Sequence, residues 1–132
     1  FLEKLASRLN LTSVSTFHGR AEDFAQAEGF RESYTWVVSR AVASLPVLLE
    51  LCLPFCKEGG TFCSYKGPEA LKELSAAKKA LEVLGGNKPL IYDITLPGSI
   101  GERKLLLFKK NEQKTPTKYP RKAGIPSKRP LL

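Results

Sequence analysis

The sequence predicts an α/β fold in which a parallel sheet carries helices on both faces and ends in an antiparallel hairpin. Two observations lead there. Segments with helical apolar spacing alternate with short β-branched and aromatic runs. The last two strand-like runs then follow each other across a short glycine-containing loop, which favours antiparallel pairing. The chain shows no internal repeat.

FLEKLASRLNL (1–11) spaces Leu2, Leu5, Ala6 and Leu9 as one helix face. SVSTF (13–17) reads as a short strand. HGRAEDF (18–24) reads as a turn entering a short helix with acidic residues at its head. YTWVVSRA (34–41) has the composition of a buried strand. SLPVLLELCLPFC (44–56) reads as an apolar helix that tolerates Pro46 in its first turn, with KEGG (57–60) as its stop. TFCSYKG (61–67) is the next strand. Pro68 opens a helix that sets Leu71, Leu74, Leu81 and Leu84 on one face and ends at Gly85 and Gly86. PLIYDITLPG (89–98) and RKLLLFKK (103–110) form the hairpin. Residues 1–111 are thus expected to form one domain, and residues 112–132 a basic, proline-containing extended arm.

A length of 132 residues suits one domain with a modest core. The 42% apolar and 26% charged shares fit a globular protein. No apolar run is long enough to span a bilayer, and no basic-then-apolar leader opens the sequence, so a cytoplasmic protein is expected. The chain contains no Met and starts at Phe1, which suggests an N-terminally truncated fragment.

The net charge of +8 sits at one end. Phe1–Ile100 carries 11 basic and 11 acidic residues, whereas Gly101–Leu132 carries 10 basic and 2 acidic. A neutral body with a cationic end points to a polyanionic partner, with a solubilising tail as the plainer alternative. Lys118, Arg121, Lys122, Lys128 and Arg129 are the candidate phosphate contacts, and Tyr119 a candidate for stacking on a base. The prolines would keep the arm extended and so lower its ordering cost.

Cys52, Cys56 and Cys63 fall in apolar segments with no histidine near, the pattern of small core residues rather than metal ligands. His18 is the sole histidine and lacks a nucleophile partner, which argues against a triad hydrolase. Ligands of open α/β sheets gather beyond the carboxyl ends of the strands. His18-Gly19-Arg20-Ala21-Glu22-Asp23 and Ser39-Arg40-Ala41 fall on that rim, and Lys66 is a lesser candidate there for a phosphate contact. Ala21 and Glu22 offer backbone N–H groups at a helix start. Arg40 can grip a carboxylate with two prongs, or it can pair structurally with Glu22 or Asp23.

Taken in order, HGRAEDF, VVSRAVASLPVLLELCLPFCKEGG, YKGPEAL, LPGSIGERKLLLFKK and TPTKYPRKAGIPSKRPL make the chain similar to the C-terminal part of a known family. It resembles the bacterial 16S rRNA guanine-N7 methyltransferases, the glucose-inhibited division protein B family, over nearly its whole length. The resemblance implies a Rossmann-like class I methyltransferase sheet. It also implies S-adenosylmethionine as cofactor, and 16S rRNA or the small ribosomal subunit as partner. A monomer without a metal is expected. By the same resemblance Ala21 and Glu22 match positions at the adenine end of the cofactor, and Arg40 an arginine of the cofactor pocket. The family's glycine-rich cofactor loop has no counterpart in these residues. No residue is assigned as catalytic. A non-enzymatic RNA-binding module and a small-molecule methyltransferase are the competing readings, and the basic arm argues against the second.

Overall fold

The computed structural model describes residues 1–40, 42–98 and 101–132. Ala41, at the rim, and Ser99 and Ile100, in the hairpin loop, lie outside the described residues. The chain forms α1 (Leu2–Arg8), α2 (Ala21–Phe24), β1 (Tyr34–Arg40), α3 (Leu45–Cys52), β2 (Cys56–Lys66), α4 (Ala70–Ala76), α5 (Lys78–Leu84), β3 (Leu90–Thr95), β4 (Glu102–Lys109) and α6 (Ile125–Lys128). One four-stranded mixed sheet has the order β1-β2-β4-β3. β1 and β2 are parallel, and β4 runs antiparallel to both β2 and β3. The terminal hairpin therefore adds its second strand inside the sheet, with β3 at the outer edge.

Several expectations need correction. SVSTF (13–17) forms no strand, because a strand requires a ladder partner and no described strand lies beyond β1. The apolar helix ends at Cys52 and passes into a 3-10 turn over Leu53–Phe55. Pro54 has no N–H and its ring opposes the carbonyl one turn back, so proline rather than KEGG stops the helix. KEGG instead lies within β2, where the register jumps from Tyr34↔Cys56 to Trp36↔Thr61. Gly60 is needed in that bulge, because a Cβ there would fall 2.8 Å from the Tyr34 carbonyl oxygen. The helix after Pro68 is divided at the buried Ala77 into α4 and α5, so Leu71 turns out to solvent.

A further correction concerns the layers. Among the described residues, helices cover one face of the sheet. There Leu45, Leu48 and Leu49 of α3, and Ala80, Leu81 and Leu84 of α5, meet Phe62 of β2 and Leu106 and Phe108 of β4. Phe62 and Phe108 are register partners whose rings stack at 5.8 Å. The buried alanines Ala70, Ala77 and Ala80 let the helices approach closely. On the opposite face Trp36, Val38 and Leu90 are 59%, 65% and 64% exposed, with Tyr65 and Tyr92 open beside them. β1, expected from its composition to be a buried strand, is therefore largely exposed.

The basic C-terminal segment is not an extended arm. It runs back across the core, burying Thr115, Tyr119, Pro120 and Pro126. Its strongest anchor is ionic. Glu50 of α3 is completely buried, and Arg121 meets it three times: backbone N–H to Oε1 at 2.8 Å, Nε to Oε1 at 2.9 Å and Nη2 to Oε2 at 2.6 Å. The Tyr119–Pro120 peptide bond that leads into this contact is cis.

Removing one partner of such a pair strands a buried charge. Arg121→Ala should lower the unfolding free energy in urea by about 3–5 kcal/mol. The apolar double replacement Arg121→Met with Glu50→Leu should recover most of that loss. A single variant as stable as the parent would show that the pair does not anchor the segment.

Candidate functional site

Two cavities lie along β1. The first, of about 360 Å³, is aromatic and follows from the residues flanking α2. Phe17, Phe24 and Phe30 form a mutually inclined trio with centroids 5.0–5.8 Å apart. Tyr34, Trp36 and Phe55 complete the walls, and Gly19 and Ala21 lie at the rim. A Cβ at Gly19 would come within 2.7 Å of the Phe24 ring, so a larger residue there would displace that ring. Aromatic walls of this kind suit a flat heterocycle.

The second cavity, of about 800 Å³, opens beyond the carboxyl ends of β1, β2 and β3, where ligands of open α/β sheets bind. Arg40, Lys66, Arg103 and Lys104 give it a cationic wall. Lys66 is already engaged, with Nζ donating to the Ala43 carbonyl at 2.7 Å and to Glu73 at 2.8 Å. The same Glu73 oxygen accepts the Leu45 N–H at 2.6 Å, so it serves the start of α3 as well. Lys104 pairs with Asp93 across the hairpin, which pushes its pKa up. Arg40 is exposed and has no ion pair or side-chain hydrogen bond among the described residues. The alternative pairing of Arg40 with Glu22 or Asp23 does not form.

The carboxylate of Glu22 is held elsewhere. Its Oε1 accepts the Gly124 N–H at 3.2 Å and Nη2 of Arg20 at 3.3 Å. Burial pushes this carboxyl up, but its own backbone N–H, that of Gly124 and Arg20 outweigh burial and hold it below the usual range. Glu32 follows the same logic: burial is outweighed by the Thr115 N–H, Lys110 and Arg31. Ala21 faces the aromatic cavity, whereas Arg40 lines the cationic one, so the three residues singled out around the rim do not converge on a single point.

The C-terminal residues divide into two groups. Lys118, Lys122, Lys128 and Arg129 are exposed. Arg121 has its guanidinium on Glu50, and its remaining contact is to the Arg129 carbonyl at 2.7 Å. Tyr119 is only 8% exposed, packed in the core with Lys118 Nζ 5.2 Å from its ring centre. Neither of these two is placed for the direct nucleic-acid contact that charge and ring chemistry suggest. Glu50 and the helical core that receive them lie far away in the sequence, so composition could not have revealed this. Sequence reasoning also passed over Arg103, although its place at the start of the hairpin's second strand put it on the rim.

The cysteines behave as core residues. Cys56 is fully buried, and burial pushes its thiol up to about 12, which keeps it un-ionised and unreactive. Among the described residues, no three His, Cys, Asp or Glu side chains cluster to hold a metal, and no helix is long and apolar enough to cross a membrane.

Comparison with known proteins gives a consistent picture. The family described as rRNA small subunit methyltransferase G matches residues 1–97. Proteins named ribosomal RNA small subunit methyltransferase G are similar along 131 residues, 99% of this chain. The protein from Geobacillus kaustophilus is 49% identical, that from Alkaliphilus oremlandii 50% and that from Bacillus cereus 51%. The chain spans about half the length of these relatives, 54–55%.

The depressed carboxyls of Glu22 and Glu32 fix the sign of the acid response. Their stabilisation is complete above the unfolded value of 4.5 and is lost as pH falls through the lower folded values. The melting temperature should therefore fall as the pH is lowered from about 5 to about 3. Glu32→Gln should start lower, because buried Lys110 loses its charged partner, and should fall less steeply. An acid response unchanged by Glu32→Gln would show that other groups set it.

Proposed function

Because this chain belongs to the rRNA small subunit methyltransferase G family, we propose that it forms the C-terminal part of an enzyme that methylates guanine N7 in 16S rRNA, with S-adenosylmethionine as cofactor. The observation that carries this reading is the cationic cavity at the carboxyl ends of the strands, with Arg40 exposed and unpaired among the described residues.

The residues present fit the cofactor in kind. Aromatic walls beside Ala21 suit an adenine ring, and a free guanidinium suits a carboxylate. Trp36 and Arg40 share one face of β1, four residues apart, or about 13 Å by strand rise. A nucleoside bearing an amino-acid arm can bridge that span. Ala21 would act through its backbone N–H group, with Glu22 fixing the turn beside it, since the Glu22 carboxylate is already held by Arg20, Gly124 and its own N–H. Arg40 would hold the carboxylate, while Arg103 would draw the nucleic-acid backbone toward the same cavity.

When bound, the cofactor supplies a methyl group on a sulfonium sulfur. Guanine N7 presents a lone pair and carries no proton, so the chain need not furnish a general base. Its residues then contribute by positioning and by charge. Lys118, Lys122, Lys128 and Arg129 would meet rRNA phosphates, with Tyr119 and Arg121 anchoring the segment that displays them. These contacts position the RNA without reading its sequence.

A graft tests the enzyme reading. This chain would replace the matching stretch of the Geobacillus kaustophilus protein, and transfer of a labelled methyl group to small-subunit RNA would be measured. Arg40→Ala in that graft should weaken S-adenosylmethionine binding about tenfold or more, the loss of a charged hydrogen-bonded partner. Its RNA affinity should hold. RNA binding with no cofactor binding would favour the non-enzymatic module instead.

Neutralising Lys118, Lys122, Lys128 and Arg129 together should flatten the slope of log affinity against log salt by about 0.7 for each phosphate that is no longer neutralised. An unchanged slope would leave these four residues as a solubilising surface.

A further inference from the structure

The segment that carries Ala21 and Glu22 has little internal order of its own. α2 is four residues long, far too short to persist without tertiary support. Residues 22–32 nevertheless send four side chains to the C-terminal segment, and each meets its main chain. Arg31 is the hub. Its Nη1 donates to the Tyr119 carbonyl at 2.8 Å, and its Nη2 donates to those of Thr115 at 2.8 Å and Pro116 at 3.2 Å. Nη1 also donates to the Ala25 carbonyl at 3.2 Å, just after α2. Gln26 Nε2 donates to the carbonyls of Thr117 and Pro120, both at 3.0 Å. In the other direction, the Gly124 and Thr115 N–H groups donate to Glu22 and Glu32 at 3.2 and 2.9 Å.

We propose that Arg31 and Gln26 are positioning residues, which clasp residues 115–120 and so fix the α2 turn that presents Ala21 and Glu22. The C-terminal segment then has two separable parts. Its backbone is structural and holds α2, while its exposed lysines remain free for a polyanion. The importance of this clasp for the reaction rests on the cofactor reading above; the clasp itself does not.

Arginine is required for geometric reasons. A guanidinium offers separate N–H groups on a rigid fork, and both of its terminal nitrogens are used here. A lysine ammonium keeps the charge but cannot span the same carbonyls. Amide hydrogen exchange on the 132-residue chain tests this directly. Arg31→Lys should raise exchange about tenfold both at Asp23–Ala27 and at Tyr119, while Leu48 and Phe62 in the core stay protected. Gln26→Met, at an exposed position, should give the same pattern more weakly and covers the case in which Arg31→Lys fails to fold. Faster exchange in the C-terminal segment alone, with α2 unchanged in both variants, would overturn the clasp. In the graft, Arg31→Lys should also weaken S-adenosylmethionine binding about tenfold. If α2 loosens but cofactor affinity holds, the clasp stands and the assignment of Ala21 and Glu22 to the cofactor fails.

Discussion

The arrangement of this molecule depends on a carboxylate that has no access to water. Glu50 lies on the buried face of α3, among leucines, at a depth where an unpaired charge would be prohibitive. Arg121 satisfies both oxygens. That requirement fixes where the chain goes after the sheet is complete. It brings residues 115–129 back over the helical layer, places Tyr119 in the core and sets Gly124 against Glu22. A segment with no acidic residues and several prolines is thus ordered by one acidic residue buried far from it in sequence.

The sheet imposes a second constraint. β4 is inserted antiparallel between β2 and β3, so the carboxyl ends of β1, β2 and β3 and the start of β4 share one rim. Cations drawn from three strands, Arg40, Lys66 and Arg103, consequently line one cavity. They are not equivalent. Lys66 is neutralised by Glu73, which also completes the first turn of α3, and it belongs to the scaffold as much as to the cavity. Arg40, at the last position of β1, carries no such obligation among the described residues.

The two faces of the sheet differ in the same physical terms. One is closed by alanine-lined helices and a stacked phenylalanine pair. The other displays Trp36, Val38, Leu90 and Tyr92, residues with the composition of a core but not its burial.

The sequence by itself determined the α/β class, the positions of β1, β3 and β4, the short helix after His18, the inert role of the cysteines and the family. These rest on period, composition and ordered motifs, which are local properties. It also placed Arg40 on the rim, because the end of a strand is legible from its apolar run. Only the tertiary structure decided that SVSTF stays unpaired, that helices cover one face, and that Tyr119 and Arg121 turn inward while Lys118 and Lys122 face out. Pairing, burial and charge neutralisation depend on partners distant in the chain: Glu50 lies 71 residues from Arg121, and Arg31 lies 84–88 from the carbonyls of Thr115, Pro116 and Tyr119. No local pattern carries that information, because the same arginine is a phosphate ligand in water and a structural ion once a buried carboxylate faces it.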